Sequence, residues 1–163
     1  MKKYLFITLF TVLPFFLFSQ PKLNLLPENM INYLGKVNRS HFEEIVGHPV
    51  RMEEEFIVYQ VESTYDERIT DIRCYYRESD GKLISVRFGT SYYLAYWINF
   101  RRLPGSPETE AEAQRLGMFL PKKDKFGNIY QINFRLKNFG CQIMDIREYP
   151  HYSTAIINYH IVE

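Results

Sequence analysis

The sequence predicts an α+β domain: an antiparallel sheet of about five to seven strands with short helices packed on one face. Three observations lead there. Apolar and polar residues alternate in one short segment after another beyond Phe56. An Asp80-Gly81 turn joins two of those segments. Helical spacing is confined to short stretches bounded by Ser, Gly and Pro.

The amino terminus reads Met1, Lys2, Lys3, then an apolar run from Tyr4 to Phe18 broken only by Pro14. Two lysines, an apolar run and the small residue Ser19 make a secretory signal, with cleavage expected between Ser19 and Gln20. A retained span needs about 20 apolar residues, and this run is shorter. No cysteine precedes Cys74, so a lipid-anchoring motif is not expected. Residues 1–19 then read as signal peptide and 20–163 as a single α+β domain, periplasmic or secreted, with no stable membrane span after cleavage.

Residues Gln20 to Pro27 read as an extended leader. Helical spacing starts at Glu28, with Met30, Leu34 and Val37 on one face. Ser40 with Glu43 has the form of a capping box opening a second helix. Phe42, Ile45 and Val46 supply its apolar stripe, Gly47 its stop, and Pro49 prevents continuation. Strand patterns follow at Phe56–Val61 and Ile69–Arg77, the latter with Ile72, Cys74 and Tyr76 on one face. Beyond the Asp80-Gly81 turn, Ile84, Val86 and Phe88 share a face in Leu83–Phe88.

The segment from Ser91 to Leu103 fits two patterns. Leu94, Tyr96, Ile98 and Phe100 alternate as in a strand, whereas Tyr93, Trp97 and Arg101 fit a helix capped by Thr90 or Ser91. Aromatic enrichment favours the strand. Ser106 and Pro107 then mark a helix start, with the helix running to Leu116 and stopping at Gly117. Pro121 to Gly127 reads as a basic loop. Three alternating segments, Ile129–Leu136, Cys141–Tyr149 and Thr154–Val162, close the chain as a meander with one wet face. The order Ser40, Gly47, Pro49, strands is echoed by Ser106, Gly117, Pro121, strands. A degenerate two-fold repeat of a helix-plus-meander unit would leave that punctuation, and so would capping rules acting independently in each half.

Residues 40–89 combine a helix ending in Gly47-x-Pro49, a strand, and a hairpin turning at Asp80-Gly81-Lys82. This stretch resembles the unit of SmpA/BamE-type bacterial envelope proteins, which share the β-lactamase-inhibitor-protein fold. The resemblance covers roughly a third of the chain, and it implies a non-catalytic scaffold that binds another envelope protein.

The charge points away from nucleic acid. The formal net charge is +1 and the signal carries Lys2 and Lys3 but no acid, so the mature domain is near neutral and gives no electrostatic case for nucleic-acid binding, which needs a basic face. His41, His48, His151 and His160 have no zinc spacing, either to each other or to a cysteine, so neither a metal nor a cofactor is expected. Asp145 and Glu148 could act as a general acid and base, but wet-face partners of Arg147 are the better reading. Glu53 to Glu55 do not converge on one point in a strand. Outside the cytoplasm Cys74 and Cys141 could form a disulfide, although each also reads as a small buried apolar residue.

The strongest binding signature is the run holding Tyr92, Tyr93, Tyr96, Trp97, Arg101 and Arg102, since aromatics beside arginine compose interface hot spots. The sequence therefore points to an exported, non-catalytic binding or scaffold protein of the bacterial cell envelope. A secreted carbohydrate- or small-ligand-binding protein, or a small hydrolase with an unrecognised site, stands as the alternative.

Overall fold

The computed structural model describes residues 21–162; the expected signal peptide lies outside the described residues. In chain order the elements are β1 (Lys22–Leu23), α1 (Pro27–Met30), α2 (Arg39–Val46), β2 (Arg51–Met52), β3 (Ile57–Gln60), β4 (Glu62–Ser63), β5 (Asp71–Tyr76) and β6 (Leu83–Thr90). The second half supplies α3 (Tyr93–Arg101), α4 (Glu110–Arg115), β7 (Phe119–Lys123), β8 (Ile129–Arg135), β9 (Phe139–Glu148) and β10 (Ser153–Ile161).

Eight strands form one antiparallel sheet in the order β2-β3-β5-β6-β10-β9-β8-β7, slightly more than expected. Each half is thus a helical segment followed by a four-stranded meander, and the last strands of the halves pair at the centre. The helices pack on one face, called inner here. Phe42 of α2 meets Tyr59 of β3 at 5.7 Å, and Phe100 of α3 meets Phe134 of β8 at 5.0 Å. No helix among the described residues is long and apolar enough to cross a membrane.

Cross-strand register sorts the side chains. One inner row runs Ile57, Cys74, Val86, Tyr159, Cys141, Phe134, Phe119 across seven strands. The two cysteines stand in that row with Val86 and Tyr159 between them. Three strand spacings of about 4.8 Å separate them, whereas a disulfide needs Cα atoms within about 7 Å. Of the two readings the sequence left open, the disulfide is not formed, and both are buried free thiols.

The hairpin at Asp80-Gly81 forms between β5 and β6, with Gly81 at φ 66°. Its alternation slips by one residue, because Tyr76 pairs with Leu83 while Tyr75 pairs with Ser85. The bulged residue is Ile84, and Leu83 takes the core position expected for it.

Several local expectations are corrected. Asn38, not Ser40, caps α2 by accepting from the His41 amide, and Glu43 instead binds Arg39. Thr109, not Ser106, caps α4; Ser106 donates to the Phe100 carbonyl. The helix expected from Glu28 is the single turn α1 followed by turns, yet Met30, Leu34 and Val37 are all buried as their spacing requires. Phe119–Lys123 is an edge strand rather than loop, with Pro121, Lys122 and Lys123 discouraging further pairing. The parallel pair β1–β4 has no signature in the sequence.

The largest correction is α3. The strand expected over 91–103 is a helix from Tyr93 to Arg101. Tyr93, Tyr96 and Phe100 turn inward at helical spacing and are buried, while Leu94 and Ile98 remain exposed. Tertiary burial against β9 and β10 outweighs the β propensity of the aromatics.

Candidate functional site

Helix α3 starts from the end of β6 through a polar anchor. Asp66, only 3% exposed, accepts from the Ser91 amide at 2.9 Å and the Thr90 hydroxyl at 3.2 Å. Its other oxygen accepts from the Arg68 amide and guanidinium. Burial alone would raise its pKa; these donors outweigh that, and the carboxyl lies below its ordinary value.

A second device sits in β9. Thr154 pairs with Arg147 and Ile156 with Met144, so β9 carries one residue more than β10 there. Asp145 takes the left-handed conformation at φ 51° that such a bulge requires. Before it, Cys141 and Ile143 face inward. Without the bulge the next inward positions would be Asp145 and Arg147. With it, Arg147 pairs outward with Thr154 and Glu148 turns inward. Asp145 and Glu148 consequently belong to opposite faces and do not form an acid–base pair.

On the inner face, α3, α4 and the ends of β7, β8 and β9 enclose a cleft of about 810 Å³. Tyr93, Trp97, Phe119, Tyr130, Ile132 and Ile146 give it an apolar lining, and Glu110 and Glu148 also border it. The Tyr93 hydroxyl donates to Glu148. Burial, then this carboxylate, pushes the phenol up to about 12. Arg101 binds Glu110 at 2.9 Å and lies 5.0 Å over the Trp97 ring. Phe119 packs against the same indole at 5.6 Å. The Trp97 Nε1 hydrogen is buried with no acceptor among the described residues.

The six residues singled out in the sequence therefore separate. Tyr93 and Trp97 line the cleft and Arg101 braces it. Tyr96 is fully buried against Phe88 at 5.3 Å and belongs to the core. Tyr92 and Arg102 are exposed outside the cleft lining, with Tyr92 beneath the Arg68 guanidinium. Phe119, Tyr130, Ile146 and Glu148 were not legible as partners of this segment, because only the second meander brings them to α3.

No protein-family model, curated protein or solved structure matches this chain.

Proposed function

We propose that the protein is an exported, non-catalytic binding protein and that the cleft beside Trp97 receives an apolar anchor from a partner protein in the cell envelope. The observation that carries this reading is the cleft itself: a concave aromatic lining continuous with exposed apolar residues. Leu94 borders it at 51% exposure, with Tyr130 and Ile129 facing it from β8. An apolar hollow with an apolar rim suits a side-chain anchor of a protein ligand.

Two features favour a protein over a sugar. Phe119 and the Arg101 guanidinium both pack on the indole, leaving little ring surface for a pyranose to stack on. The carboxylates around the cleft are engaged as well: Glu110 by Arg101, Glu148 by Tyr93, and Asp124 by the amides and side chain of its own turn at Phe126 and Asn128. The resemblance of residues 40–89 to envelope scaffold proteins points the same way.

Trp97 is the only tryptophan, so its emission reports on the cleft directly. The test is selection of binders from a displayed peptide library, followed by titration against wild type and Leu94→Asp. Selected peptides should carry an aromatic or large aliphatic anchor, shift Trp97 emission, and lose at least about tenfold in affinity with Leu94→Asp. Binders that leave the emission unchanged and ignore Leu94→Asp would refute this site. Saturable emission shifts with oligosaccharides, and none with peptides, would favour the sugar reading.

A further inference from the structure

Cross-strand register brings two hairpin tips to one end of the sheet. The β7–β8 turn follows Lys123, which pairs with Ile129, and the β9–β10 turn follows Glu148, which pairs with Ser153. Ile132 on β8 faces Ile143 on β9, so the start of β8 lies beside the end of β9 and the two tips are neighbours. Two strand spacings, about 10 Å, separate the hairpin axes. Both tips carry exposed aromatic rings. Phe126 tops the first hairpin at 76% exposure, more than any other large apolar residue among the described residues. Tyr149 and Tyr152 close the second. The Tyr149 amide donates to the Tyr152 carbonyl at 2.8 Å, and the two exposed rings stack at 4.6 Å. The turns at the opposite end of the sheet, 77–82 and 137–138, hold no large apolar side chain.

The free charge around these tips is basic. Lys122, Lys123 and Lys125 are exposed, with no carboxylate partner among the described residues, and Lys125 lies over the Phe126 ring at 4.9 Å. The nearby carboxylates are engaged or balanced. Asp124 accepts from the Phe126 and Asn128 amides and from the Asn128 side chain. Glu148 turns inward to Tyr93, and exposed Asp145 is matched in number by exposed Arg147. Aromatic rings beside lysines are the composition of a contact with a bilayer interface, where rings settle among headgroups and ammonium groups meet lipid phosphates. A protein partner would need a fitted hollow for each convex tip, whereas lipid closes around it. We infer that this end of the sheet docks on an anionic lipid surface, with Phe126, Tyr149 and Tyr152 entering the headgroup layer and Lys122, Lys123 and Lys125 meeting the phosphates. The tyrosine pair is ordered by its own turn, so docking costs little side-chain freedom. The contact is peripheral and does not rest on the Trp97 cleft reading.

The experiment is co-sedimentation of the full chain with vesicles of phosphatidylglycerol and phosphatidylcholine in equal parts, and with vesicles of phosphatidylcholine alone. Wild type is compared with Phe126→Ser, Tyr152→Ser, Lys125→Gln and Met52→Ser, all exposed changes whose melting temperatures are measured alongside. Wild type should bind the anionic vesicles, and sodium chloride should weaken that binding. Phe126→Ser should weaken it about tenfold, Lys125→Gln about fivefold, and Tyr152→Ser in the same direction. Met52→Ser removes an apolar side chain 69% exposed on the far edge strand and should bind as wild type does. Equal binding by wild type and Phe126→Ser, which attachment through the apolar run Tyr4–Phe18 would give, would overturn the inference. So would equal binding to both kinds of vesicle. Absence of vesicle binding would overturn it too, and would leave the tips to a protein partner.

Discussion

The Tyr93 hydroxyl donates to the Glu148 carboxylate, tying the first turn of α3 to the last residue of β9. The contact exists because the bulge at Asp145 has already turned Glu148 inward. Removing the hydroxyl in Tyr93→Phe should cost about 1.5–3 kcal/mol at neutral pH, the range for hydrogen bonds to charged groups. The phenol titrates near 10 when unfolded and at about 12 in the fold. Its contribution is therefore complete below pH 10 and lost as pH rises toward 12. Urea unfolding of wild type and Tyr93→Phe should show a stability gap at pH 7 that closes across that window; a gap independent of pH would contradict the assignment.

Asp145 should tolerate Gly and resist β-branched residues. Asp145→Gly relieves the left-handed backbone and is expected to leave the melting temperature equal or higher. Asp145→Val should lose on the order of 1–2 kcal/mol. Deleting Asp145 removes the extra residue and leaves Ile146 opposite Ala155, so Arg147 and Glu148 keep their faces and their pairing with β10. Trp97 emission should then stay close to that of wild type because Glu148 still borders the cleft, and a large shift would argue against Asp145 being the bulged residue.

Cys74 and Cys141 are predicted to remain thiols in the native protein. Burial drives both pKa values upward, so an alkylating reagent should label neither until denaturant is added, then both. Reductant should not change the melting temperature. An intact mass short of two hydrogens would overturn the register separating them.

Helix α3 divides into core and surface. Phe100→Ala should cost about 3–5 kcal/mol, since Phe100 is 1% exposed and packs on Phe134 and Tyr159. Ile98→Ala, on the exposed side, should change stability by about 0.5 kcal/mol or less. Denaturant midpoints measure both, and comparable losses would place Ile98 in the core as well.

Acid should weaken the fold in two stages. His160 packs over Gly140, where an added Cβ would lie 2.3 Å from Nε2. Burial, with Arg135 nearby, holds its pKa below 6.5. Its neutral form therefore contributes stability above pH 6.5 that is lost as pH falls through the lowered value. Asp66 contributes above its ordinary carboxylate pKa, and its share is lost at still lower pH. His160→Asn should flatten the first stage and Asp66→Asn the second, read from melting temperatures across pH 3–8. Gly140→Ala should destabilise at every pH.

Much of this protein was legible in its sequence, where a local rule decided the outcome. Asp80-Gly81 specified a hairpin because few residues other than glycine accept the backbone that turn requires. Alternation in Ile129–Leu136 and Thr154–Val162 fixed which face of each strand is buried, since a strand has only two. Met30, Leu34 and Val37 were recognisable as core even though the helix around them is barely one turn. The tertiary structure decided what no local rule could. Residues 91–103 are apolar on nearly every side, so periodicity did not separate helix from strand; packing on β9 and β10 did. The bulge at Asp145 leaves no mark beyond an ordinary Asp, yet it decides that Arg147 faces outward and Glu148 inward. The placement of Cys74 and Cys141 depends on how many strands intervene, and strand order follows from pairing across the whole sheet. The Trp97 cleft shares that origin: its walls come from segments far apart in the chain, joined only by burial of a common core.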